Sequence, residues 1–124
     1  MGFIELEFPR PQVALVRLNR PERMNAMAFD VMLPFKEEEL SLNNDVRVVV
    51  VTGAGRGFCS GADQENPGRM PGIEGLTPPT IGLRAMKLLD DVILSLRNMH
   101  QPVIGAINGA AIGGGLCLSL ACDI

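Results

Sequence analysis

No stretch of the 124-residue sequence stays apolar for the roughly 18–20 residues that a bilayer-spanning helix requires. A cluster of basic residues is equally absent. Eleven lysines and arginines are scattered among 14 acids, for a net charge of −3, so a nucleic-acid-binding surface is not expected. Cysteine is scarce: three residues, Cys59, Cys117 and Cys122, an odd number without CxxC spacing. That argues against a disulfide framework or a cysteine-built metal site and fits a reducing cytoplasm. The opening MGFIELEFPRP puts acids where a secretion signal carries basic residues and an apolar core. Its Met-Gly start lacks the Ser or Thr of a myristoylation signal at position 6, which is Leu6. Low-complexity blocks are also missing.

What remains is an ordinary globular balance, 47% hydrophobic and 20% charged, in a length that suits one small domain with a modest core. Residues 3–8, FIELEF, alternate apolar and acidic with the period of a half-buried strand. Residues 12–18, QVALVRL, alternate again after a Pro-containing turn, which predicts a hairpin. The spacing of Phe29, Met32, Leu33, Phe35 and Leu40 predicts an amphipathic helix over 29–42, kinked at Pro34. Residues 46–51, with consecutive valines at 48–51, read as a strand buried on both faces. A glycine-rich turn (53–61) and a Pro/Gly-rich surface loop (66–79) follow. A helix is expected over 80–99, a short strand over 103–107, and an apolar helix from Gly113 to the end. The order β-β-α-β-loop-α-β-α favours an α/β fold with parallel pairing.

Two segments echo one another: VVVVTGAGRG and VIGAINGAAIGGG each run a buried strand into a glycine-rich turn. Ligands of open α/β sheets bind at that edge. Glycines in the first turn permit positive φ in a plain connection, or let a backbone N–H around Gly61, Ala62 and Asp63 approach a ligand oxygen, with Asp63 opening a following helical turn. A dinucleotide-binding turn is a further reading, although Phe58 stands where GxGxxG requires its third glycine. The second turn has Gly113, Gly114 and Gly115 in a row. They suit close packing of helix on strand, or a helix N-terminus whose free N–H groups meet a ligand.

Together, LNRPERMNAM (18–27), VVVVTGAGRGFCSGAD (48–63) and QPVIGAINGAAIGGG (101–115) resemble the enoyl-CoA hydratase/isomerase (crotonase) family in content, order and spacing. The resemblance covers residues 3–124. It implies a ClpP/crotonase-like α/β spiral of ββα units, of which this chain would be the N-terminal part, truncated before the helical region that builds trimers or hexamers in full-length relatives. It further implies an acyl-CoA substrate, no separate cofactor and no metal. The Ala62 and Gly114 N–H groups would bind the thioester oxygen as an oxyanion hole. Arg23, Met24, Ala26, Cys59, Ser60, Gly61, Ala62, Asp63 and Gly114 would border the CoA and acyl path, with Arg23 either meeting a CoA phosphate or solvated.

The chain also departs from the family pattern. Hydratases carry a catalytic Glu two residues after the glycine triplet, and here that position is Cys117, expected as a small buried hydrophobe. The second family carboxylate would lie beyond Ile124. Acyl-CoA chemistry on the shared scaffold is therefore one expectation, and a non-catalytic CoA-binding or interaction fragment is another. A nucleotide-binding α/β module is the third. A His100–cysteine dyad is weaker than helix capping by His100. Asp90 and Asp91 are expected to be solvated, and Asp123 to cap or end the last helix.

Overall fold

The computed structural model describes residues 4–28, 45–63, 65, 68 and 72–124. Its described elements are β1 (Ile4–Arg10), β2 (Val13–Leu18), a 3-10 turn (Pro21–Arg23), β3 (Val48–Gly53), α1 (Pro78–Arg97), β4 (Val103–Ala106) and α2 (Gly114–Ala121). The helix expected over 29–42 lies outside the described residues, as does most of 64–71.

The four strands form one sheet in sequence order. β1 and β2 make the expected antiparallel hairpin, Ile4 opposite Leu18. The register slips between Glu7 and Arg10, where Pro9 has no N–H for the ladder, and an edge strand tolerates that. β2–β3 and β3–β4 are parallel, so the C-terminal ends of β3 and β4 lie on one edge. Both glycine-rich turns start there.

Alternation gives β2 and β3 one sealed face. Ala14, Val16, Leu18, Val49 and Val51 are buried, whereas Val48 and Val50 are half-buried, so β3 is not enclosed on both sides as expected. α1 lies on the sealed face through Leu88, Val92 and Leu96, one stripe at helical spacing. Pro78 and Pro79 occupy its first turn, where a missing N–H costs nothing. α2 adds Gly115, Leu118 and Ala121. Each large apolar side chain so buried contributes about 1.5–3 kcal/mol. The last residues turn back along β4: Asp123 N–H donates to the Val103 carbonyl, Val103 N–H donates to the Asp123 carboxylate, and Gly105 N–H donates to the Ile124 carbonyl. Asp123 thus ties the end of α2 to β4, with Arg97 beside it, rather than simply capping the helix.

Candidate functional site

The site is built where β2, β3 and β4 release their chains. After β2, Met24 and Asn25 both take positive φ (53° and 55°), a conformation that Asn tolerates and Met adopts only under strong constraint. The constraint is the buried Asn25 side chain. Its Oδ1 accepts the Arg20 N–H at 2.7 Å, and its Nδ2 donates to the carbonyls of Ala54 and Gly57. Asn108, after β4, grips the same turn from the other side. Its Oδ1 accepts the Gly53 N–H, and its Nδ2 donates to Gly55 and Gly57. The Gly57 carbonyl is therefore shared by both asparagines.

Beyond Gly57 the chain is extended and lies between two neighbours. On one side the N–H groups of Phe58 and Cys59 donate to Ala110, and Ile112 N–H donates to Cys59. On the other, Ser60 N–H donates to Met24, Met27 N–H donates to Gly61 at 2.7 Å, and Asp63 N–H donates to Met27. Isolated parallel bridges pair Cys59 with Ala111 and Met27 with Ala62. This extended run does not suit the dinucleotide reading, because among the described residues no helix N-terminus directly follows turn 53–57 to receive a phosphate.

Gly61 has φ 96°, and a β-carbon on it would lie 2.9 Å from the Ile112 carbonyl oxygen and 3.7 Å from Gly113 Cα. The two glycine turns thus abut. Gly113 (φ 56°) is the N-cap of α2, and Gly114 is its first residue. Among the described residues no acceptor takes the N–H of Ala62 or of Gly114. Ala62 is exposed and Gly114 half-buried. Unpaired donors at adjoining turns, one at the positive end of a helix, are suited to an oxygen carrying negative charge.

A cleft of about 360 Å³ opens beside this point, lined by Glu22, Arg23, Met24, Ala26, Ser60, Ala62, Asp63 and Glu65. Six of the residues singled out from the sequence line it: Arg23, Met24, Ala26, Ser60, Ala62 and Asp63. Gly61 is buried at the contact of the turns. Cys59 is a core residue, its N–H and carbonyl both engaged by residues 110–112 and its thiol pKa pushed up by burial.

Asp63, expected at the start of a helical turn, accepts the Glu65 N–H at Oδ1 (3.1 Å), and most of the residues just beyond lie outside the described ones. Its carboxylate is buried and held by Arg23 through two hydrogen bonds (2.7 and 2.6 Å) and by Arg20 at 3.1 Å. A buried carboxylate is stable only with such charge-assisted partners. Arg23 is partly exposed and engaged through Nε and Nη2: Asp63 accepts from both, Glu65 lies 3.4 Å away, and hydrogen bonding to Asp63 raises its pKa further. Cys117 is exposed rather than buried, because α2 turns Gly115, Leu118 and Ala121 to the core and leaves Leu116, Cys117 and Leu120 outward. His100 sits at the opposite edge beside Val46, Arg47, Gln101 and Pro102. Asp91 faces Lys87 on α1. Among the described residues no group of three or more His, Cys, Asp or Glu is placed to hold a metal ion, and no helix is long and apolar enough to cross a membrane.

A mixed sheet wound through ββα units, with two abutting glycine turns at its carboxyl edge, defines a crotonase-like fold. A family model described as enoyl-CoA hydratase/isomerase matches residues 10–124, and the chain belongs to that family. It is 63% identical over 126 residues to a protein named probable enoyl-CoA hydratase echA12 from Mycobacterium bovis, covering 100% of this chain and 44% of that one. The solved structure of a probable enoyl-CoA hydratase/isomerase from Mycobacterium abscessus superposes with a TM-score of 0.91 at 67% identity, covering 99% of this chain and 45% of the other. A monofunctional enoyl-CoA isomerase from M. smegmatis superposes with a TM-score of 0.77 at 55% identity, over 98% of this chain and 48% of that one. The chain thus spans a little under half the length of these relatives.

Proposed function

We propose that this chain supplies the thioester-oxygen site of an acyl-CoA-processing enzyme, with Ala62 and Gly114 as backbone donors. The observation that carries the reading is the pair of unpartnered N–H groups in two glycine turns that touch. Forming an enolate from a thioester moves negative charge onto the carbonyl oxygen. Donors already in place there stabilise that charge without reorganising, typically by about 3–4 kcal/mol per donor. The α2 dipole adds to the Gly114 contribution. The cleft lined by Met24, Ala26 and Ser60 would take the CoA arm, and no resident cofactor is needed, since CoA travels with the substrate.

The same residues leave hydration without its base. Cys117 stands where the family's hydratases carry a Glu. Asp63, the carboxylate nearest Ala62 in sequence, is occupied by two arginines. That favours keeping a second reading: a CoA-thioester-binding unit without turnover, whose acid and base would come from elsewhere in a longer protein. Assembly into trimers or hexamers and a cytoplasmic setting belong to the same proposal. Titration with crotonyl-CoA and with its thioether analogue, which lacks the carbonyl oxygen, tests the site. We expect the thioester to bind about tenfold more tightly, equivalent to about 1.4 kcal/mol. Equal affinity contradicts an oxygen-binding site. Hydration of crotonyl-CoA by the same sample would remove the second reading.

A further inference from the structure

Met27 is joined to both candidate donors, by different parts of the same residue. Its backbone N–H donates to the Gly61 carbonyl, which belongs to the same peptide unit as the Ala62 N–H. A trans peptide points its carbonyl and N–H to opposite sides. The bond from Met27 therefore turns the Ala62 N–H away from residue 27, toward the side where Ile112 and Gly113 pack on Gly61. Asp63 N–H closes the bridge from the other flank by donating to the Met27 carbonyl. The Met27 side chain, on a residue 5% exposed, reaches the second turn: its Sδ lies 2.9 Å from where a β-carbon of Gly114 would sit.

From this geometry we propose that Met27 is a positioning residue that sets both the aim of the Ala62 N–H and its spacing from the Gly114 N–H. The proposal rests on the oxygen-site reading above. A long, unbranched thioether suits such a spacer, because it fills a narrow gap against a residue without a side chain. Leu89 methyls lie 3.7 and 3.8 Å from the same point, so both side chains pack on the face of Gly114 that a β-carbon would occupy. Shortening residue 27 leaves its backbone bonds possible but frees the start of α2 to shift toward the gap. The donors would then no longer converge on one oxygen.

The test is infrared spectroscopy of bound, carbonyl-labelled crotonyl-CoA, which reports polarisation of the thioester bond separately from affinity. In the unmodified chain the band should move to lower wavenumber on binding. Met27→Leu should keep that movement. Met27→Ala should lose most of it and reduce the thioester-over-thioether preference from about tenfold to about one. Met27→Val, which keeps an apolar side chain but cannot reach Gly114, should behave like Met27→Ala and serves if the alanine variant fails to fold. A full band shift in either shortened variant overturns the positioning role while leaving the oxygen site standing. No shift in the unmodified chain overturns the site itself, and this inference with it.

Discussion

The two glycine turns begin alike, each at the C-terminal end of a parallel strand, and both pack too closely for β-carbons, yet only the first is also clamped at several points by buried polar side chains. Turn 53–63 is fastened by side chains: Asn25 and Asn108 on Gly57, and Arg20 and Arg23 on Asp63. Turn 108–115, beyond the Asn108 side chain at its start, is fastened by close approach of glycine backbone. A β-carbon on Gly109 would meet the Arg56 carbonyl, and one on Gly115 would meet the Cys59 carbonyl. Both turns should resist added volume, since β-carbons on Gly53, Gly57 and Gly61 would also crowd their neighbours. The first turn should in addition respond to loss of its polar partners.

The largest break in that contrast should come from Asp63→Ala. It leaves Arg20, only 6% exposed at its side chain, without its carboxylate, a situation that typically costs about 3–5 kcal/mol. Urea unfolding of the pair Asp63→Ala and Arg20→Ala/Asp63→Ala measures it, and the double variant should recover part of the loss. Next is Gly115→Ala, where the new carbon would sit 2.7 Å from Cys59 Cβ. The expected cost is about 2–3 kcal/mol by overpacking, with no relief from any polar substitution in the first turn. Asn25→Ala should cost about 1–3 kcal/mol and Asn108→Ala about 1, because Asn25 is buried and Asn108 can be replaced by water. Equal losses for the two asparagines would contradict the burial argument.

The smallest effect concerns pH. Burial raises the Cys59 thiol above its usual 9.0, and Cys122 moves the same way. In the window above the ordinary thiol value the folded state keeps a proton that the unfolded chain has lost. The stabilisation is therefore whole below about pH 9 and falls as pH rises through the folded value. Comparing unfolding midpoints across that window should show a decline that Cys59→Ala lessens. Exposed Cys117 should meanwhile react first with a thiol reagent.

The strands, the hairpin and the α1 stripe were legible because period-2 and helical spacing are local signals. The pairing of the two turns was legible only because both sit where parallel strands end. The asparagine staples were not, since Asn25 finds its Gly57 partner 32 residues away and nothing local marks that. The grip of Arg23 on Asp63 spans 40 residues and was hidden for the same reason. Cys117 misled because LCLSL is apolar on every side, so sequence alone does not choose which face of α2 meets the core. The exposed Leu116 and Leu120 show the choice made here.

The most direct measurement replaces single amides by esters, first at residue 62 and then at residue 114, which removes one N–H without adding an atom to either crowded turn. The carbonyl band of bound crotonyl-CoA is then read in each. If both N–H groups bind the thioester oxygen, each replacement moves the band part of the way back toward its position in water, and the two together return it fully. A band unchanged by either replacement would contradict the account.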